Sequence, residues 1–284
     1  MSLFSERMGY KPVRTMLQVD SMDRELRNGL WNVLFRYALP SPKVIGEVSS
    51  SHVTSTLSRR LWRDYFREPF DLLGERWATL YNEIRGYFFS CEWFEVYDLL
   101  EFIADNHPDG TGNVIPRFID ACNNLLKREV SAYRFVGGKL VPITSEEEIT
   151  EIEEALTAPD SLSPIRSHLN TALGLLADRK SPDYRNSIKE SISAVEALSR
   201  LITGDSNATL GKTLKRINAS VPLHGALQKA FGNLYGYSSD ADGIRHSLMD
   251  ESTLDFEDAK FMLVSCSAFV NYLIEKASKA GIEF

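Results

Sequence analysis

Cysteine is scarce in these 284 residues: Cys91, Cys122 and Cys266 are an odd number, far apart, each among apolar neighbours. That usage excludes a disulfide framework and a zinc knuckle, and predicts free, buried thiols. Histidine is also sparse. His52, His107, His168, His224 and His246 are scattered, none in a His-Glu-x-x-His or carboxylate-His metal spacing, so no metal is expected. A Gly-x-Ser-x-Gly elbow and a dinucleotide fingerprint are missing. Leu210-Gly211-Lys212-Thr213 lacks the earlier glycine and preceding strand of a phosphate-binding loop and reads as a helix start, so no cofactor is expected. No apolar run approaches the roughly 18 residues of a membrane span. The greasiest stretch, Phe261 to Leu273, is broken by Ser265, Ser267 and Asn271, which argues against an integral membrane protein. Glu6, Arg7, Lys11 and Arg14 interrupt the N-terminal segment, so a secretory signal is not expected and the cytoplasm is the expected compartment.

What is present is the composition of a folded domain or two, with 43% hydrophobic, 25% charged and 11% aromatic residues. The net charge of −7 is unevenly placed. Residues 1–143 balance at 18 basic against 18 acidic, residues 144–160 hold seven acids and no base, and residues 161–284 balance at 14 against 14. A nucleic-acid partner would therefore need a local basic patch rather than an overall positive field.

Helical spacing dominates the chain. Leu26, Leu30, Trp31, Leu34 and Phe35 share one apolar face, with Ser21 as the expected N-cap. Further amphipathic stretches run over residues 53–67, 72–89, 93–104 and 114–130. The exception is Tyr133 to Ile143, where two short runs of β-formers flank Gly137-Gly138 and predict one β-hairpin. Thr144 or Ser145 then caps an acidic connector helix, and Pro159-Asp160 closes it. We place a domain boundary near residue 160. Residues 1–160 read as a helical domain ending in the hairpin and the acidic helix. Residues 161–284 read as an up-and-down helical bundle, with helices over 162–177, 184–202, 209–217, 223–234 and 254–280.

Two segments carry candidate chemistry. Tyr235 to Glu251 gathers Arg245-His246, three aspartates and flexible glycines. An arginine can grip a phosphate with parallel donors and a histidine can move a proton near neutral pH, the minimal tools for metal-free RNA cleavage by the ribose 2′-OH. Asp242 and Asp250 beside that pair support the alternative of a surface ion-pair network. In the second segment Arg59, Arg63 and Arg67 recur every four residues beside Arg60, with Trp62, Tyr65 and Phe66 interleaved, and could track an RNA backbone. Against that, Leu57, Leu61, Trp62, Tyr65 and Phe66 read as a buried stripe that leaves the arginines solvated.

Phe4 to Tyr10, Arg27 to Asn32, and Tyr133-Arg134-Phe135 with Pro142-Ile143 resemble the N-terminal domain of the AbiJ abortive-infection group of bacteria. Arg185 to Leu198, Thr209 to Lys212 and Gly243-Ile244-Arg245-His246 resemble its HEPN-like partner domain. The resemblance implies a dimerising helical bundle and, in active members, a ribonuclease site used against phage. It also implies a homodimer through the C-terminal domain, RNA as partner and a phage-derived trigger. Within it, His246 is the expected acid or base and Arg245 the phosphate ligand. Glu190 or Glu196 would orient His246, and Glu190 is favoured by its apolar stripe with Ala194, Ala197 and Leu201. Active HEPN proteins separate the arginine and histidine by several residues, whereas here they are adjacent. Helical neighbours diverge by roughly 100°, so the pair does not converge on one phosphate as the spaced motif does. The competing expectation is accordingly a non-catalytic dimerisation or binding module that senses or regulates.

Overall fold

The computed structural model describes residues 4, 8, 10, 17–39, 52–69, 77–108, 112–178, 181–205, 217, 221, 223–240 and 254–284. The chain is mainly helical with one antiparallel hairpin among the described residues, and divides into two units, Met1–Thr144 and Ser145–Phe284.

The first unit holds α1 (Arg24–Tyr37), α2 (His52–Arg60), a π-helical turn (Leu61–Phe66), α3 (Trp77–Ser90), α4 (Trp93–Asn106) and α5 (Val114–Arg128). Asp23, not Ser21, caps α1: its carboxylate accepts from Leu26 N at 2.8 Å. The cap falls there because the Gln18 side chain takes the Asp23 amide at 2.8 Å and fixes where the chain turns into the helix. Leu26, Leu30 and Leu34 are fully buried, whereas Phe35, expected on the same face, is exposed at its edge against Tyr81. Trp31 packs on Phe88 and Phe89 of α3 at 5.2 and 5.6 Å between ring centroids. Gly29 lets α5 come close, since a Cβ there would lie 2.7 Å from both methyls of Leu125. Arg27 reaches across α1 to the end of α3 and donates to the carbonyls of Phe88 at 2.7 Å and Cys91 at 2.9 Å.

After α5 the chain turns at Val130, which has φ 55, a strained value for a β-branched residue. Gln18 secures this turn: its amide donates to Val130 O at 2.9 Å, its carbonyl accepts from Ala132 at 3.0 Å, and its side chain donates to Glu129 O at 2.7 Å. The hairpin follows, β1 (Arg134–Val136) pairing with β2 (Lys139–Val141) in the register Phe135↔Leu140. Gly137 and Gly138 both have positive φ, 54 and 83, as a two-residue turn matching the strand twist requires. Asn123 on α5 grips β1, accepting from Phe135 N at 2.7 Å and donating to its carbonyl at 2.9 Å.

The second unit holds α6 (Glu146–Leu156), a 3₁₀ turn (Asp160–Leu162), α7 (Ser163–Ala177), α8 (Tyr184–Thr203), α9 (Gly225–Asp240) and α10 (Phe256–Lys279). Ser145 caps α6 and Asp183 caps α8. α8 is the central helix, buried on a broad face against α7 and α10. The acidic α6 packs on α10 and α7, so the compact units divide at Thr144/Ser145, ahead of the boundary expected near residue 160. Most of the helix expected over residues 209–217 lies outside the described residues, Ile217 excepted. Cys122 and Cys266 are buried free thiols, and burial pushes the Cys266 thiol up to about 12; Cys91 is half-buried.

Candidate functional site

The α7–α8 hairpin is built from a regular pattern. α7 buries Ile165, Leu169, Ala172, Leu173 and Leu176, with Pro164 at its start. α8 places small hydroxyls on the side that meets it: Ser187 Oγ donates to Ala172 O of α7 at 2.8 Å, and Ser191 Oγ to Ser187 O at 2.9 Å. Those short side chains satisfy themselves on backbone carbonyls and let the helices approach.

From the Ala172–Ser187 contact, one turn back along α7 reaches His168 and one turn forward along α8 reaches Glu190. Antiparallel helices bring the two side chains to one level, with His168 Nδ1 2.6 Å from Glu190 Oε2. A carboxylate only accepts, so the ring nitrogen Nδ1 donates, and in the neutral ring the lone pair is then on Nε2. The His168 side chain is 38% exposed and that of Glu190 22%. His168 Nε2 has no hydrogen-bond partner among the described residues.

Glu190 thus meets His168. Arg245 and His246, with Asp242 and Asp250, lie outside the described residues. Glu196 is six residues further along α8, on a different face, buried, with Arg200 Nη2 3.7 Å from its carboxylate. The sequence offered His168 only as one of five scattered histidines. Its signal was the spacing of two helices around a short connection, which becomes visible once Ala172 and Ser187 are known to touch.

In the first unit Arg59, Arg63 and Arg67 are all exposed, the first on α2, the second in the π-helical turn of residues 61–66 and the third at the end of that turn. Arg63 makes two bonds to its neighbour Asp64, at 2.5 and 2.7 Å, and that hydrogen bonding holds the Asp64 carboxyl below the usual range. Arg67 ends the turn in the left-handed region at φ 58. Arg60 points inward and donates to Asn106 O at 2.6 Å. Leu57, Leu61 and Trp62 are buried, and Tyr65 and Phe66 are half-buried. Beside the π turn, Trp62, Phe66 and Tyr87 wall a cleft of about 810 Å³ with Glu68 and Glu83 at its margin.

Among the described residues no three His, Cys, Asp or Glu side chains come together to hold a metal ion. None of the described helices is long and apolar enough to cross a membrane. A family model described as AbiJ N-terminal domain 4 matches residues 2–158. No curated protein and no solved structure gives a significant match.

Proposed function

The chain belongs to the AbiJ N-terminal domain 4 family, and from that premise we propose that it is an anti-phage abortive-infection protein whose second unit is a HEPN-like, metal-independent ribonuclease. The observation that carries the reading is the family match over more than half of the chain, together with a helical second unit downstream of most of it. Arg245 holds the scissile phosphate and stabilises the charge that develops on it, while His246 transfers a proton. Glu190 acts on the same chemistry from α8. The first unit receives a phage-derived trigger, and the active form is a cytoplasmic homodimer joined through the second unit.

Metal-free cleavage leaves a recognisable product. The 2′-oxygen attacks the adjacent phosphorus, the 5′-oxygen departs, and the RNA fragment ends in a 2′,3′-cyclic phosphate. Purified wild-type protein in EDTA should generate such ends from a mixed pool of transfer and messenger RNA, and His246→Ala should lower the yield at least a hundredfold. Cleavage at the wild-type rate by that variant removes His246 from the mechanism.

The adjacency of Arg245 and His246 favours a second reading, a non-catalytic HEPN-like module that dimerises or binds nucleic acid or protein. Intact RNA with both proteins, combined with retained RNA binding, supports it.

A further inference from the structure

Because basic and acidic residues balance over residues 1–143, a nucleic-acid partner of the first unit needs a local basic patch, and one lies between α1 and α5. Gln18 joins the start of α1 to the chain just after α5, so the two helices run antiparallel, and Gly29 lets them meet at Leu125. Beside that contact is a groove of about 540 Å³. Asn32 and Arg36 line it from α1, Asn124 and Arg128 from α5, each pair four residues apart on one helix face. Counted from the Gly29–Leu125 contact, Arg36 and Arg128 lie in opposite directions, ten residues of helical rise or about 15 Å apart.

None of the described residues lining the groove is a carboxylate. Arg36 stands over the Tyr37 ring, 5.7 Å from its centroid, and makes no hydrogen bond among the described residues. Arg128 donates from Nε to Glu129 Oε1 at 2.8 Å, and its two terminal nitrogens have no hydrogen-bond partner among the described residues. The asparagines are equally unused. Asn32 and Asn124 are exposed in the interior of helices, where asparagine is a weak helix former, and neither carboxamide has a partner among the described residues. Asn123 beside them is accounted for by its grip on β1.

We infer that the α1–α5 groove binds single-stranded RNA in an extended form. Two phosphates of the strand that are not nearest neighbours lie on the forked donors of Arg36 and Arg128. A base between them presents its edge to Asn32 and Asn124, whose carboxamides offer a donor and an acceptor side by side. Both helices belong to the first unit and no bond is made or broken, so the inference stands apart from the nuclease reading.

The test uses the full chain and a fluorescein-labelled 2′-O-methyl hexa-adenylate, which lacks the attacking hydroxyl and survives any nuclease activity. Fluorescence anisotropy should show saturable binding. Replacing both arginines, Arg36→Gln with Arg128→Gln, should weaken it roughly tenfold or more and flatten the slope of log affinity against log salt by about 1.4, about 0.7 for each phosphate released. Asn124→Ala should weaken binding about fivefold and leave the slope unchanged. All three side chains are exposed, so the melting midpoint should stay at the wild-type value. Arg59→Gln with Arg63→Gln should bind as wild type does. No binding by wild-type protein, or an unchanged salt slope in the Arg36/Arg128 variant, overturns the inference. A loss confined to the Arg59/Arg63 variant moves the strand to the π-helical turn and overturns it as well. Displacement of the labelled strand by poly-glutamate as readily as by unlabelled hexa-adenylate makes the groove a site for acidic peptides, and equal displacement by AMP makes it a mononucleotide pocket. Either result overturns recognition of a strand.

Discussion

Gln18→Ala would remove a clamp that no helix propensity predicts. The side chain donates to Glu129 O at 2.7 Å and accepts from Asp23 N at 2.8 Å, joining the strained turn after α5 to the start of α1. Gln18 is only 8% exposed, so water does not readily replace either bond. Each bond contributes about 1 kcal/mol net. The one buried methylene that is lost adds about 1 kcal/mol more, for a total on the order of 3 kcal/mol. The backbone bonds of Gln18 to Val130 and Ala132 survive the substitution, so the change should loosen the unit rather than unfold it. A unit of this size melts about 3 °C lower per kcal/mol lost, which gives a shift on the order of 10 °C. The readout can be confined to the right unit, because all four tryptophans, Trp31, Trp62, Trp77 and Trp93, precede residue 145. Tryptophan fluorescence should therefore report the shift. A midpoint within 2 °C of wild type would refute the clamp.

Two further substitutions test the same unit. Arg27→Ala takes a cationic donor from the carbonyls of Phe88 and Cys91 at the end of α3, and should cost about 2 kcal/mol in the tryptophan-monitored transition. Arg27→Lys should recover only part, since an ammonium lacks the planar fork. Glu101 accepts from the amide of Leu140 on β2, and burial raises its pKa above the ordinary glutamate value despite that bond and nearby Lys139. A folded-state pKa above the unfolded one gives stability that is full below the unfolded value and is lost as pH rises through the folded value. Glu101→Gln should flatten that decline and raise the midpoint at neutral pH, and an unchanged pH slope would show that Glu101 is not its source.

Local chemistry marked many elements correctly. Gly137-Gly138 placed the hairpin turn because only positive φ at both positions matches the strand twist, and of the two expected caps Thr144 and Ser145 it is Ser145 whose oxygen accepts from the first turn of α6. Ser21 misplaced the start of α1 because the deciding partner, the Gln18 side chain, ties the cap to a turn more than a hundred residues away in sequence. His168 and Glu190 could not be paired from periodicity, because their meeting depends on how Ala172 and Ser187 bring α7 and α8 into register.

The acidic helix α6 shows where sequence family and packing part company. The family match runs to residue 158 and takes in α6, whereas α6 packs on α10 and α7 of the second unit. Ile152 and Ala155 are fully buried, Asn271 on α10 donates to Glu151 O at 2.9 Å, and Lys260 lies 3.3 Å from Glu148. A fragment beginning at residue 161 loses all of this and exposes the apolar side of α10 that α6 covered. Burying Ile152 alone is worth about 2–3 kcal/mol, a large share of the stability of a small bundle. A fragment of residues 145–284 should therefore unfold cooperatively by circular dichroism, and one of residues 161–284 should melt at least 10 °C lower or fail to fold. Equal midpoints would mean that α6 rests on the second unit without stabilising it. A lower midpoint would mean that the family's sequence boundary cuts through a cooperative folding unit, and that nuclease assays need fragments cut ahead of Ser145.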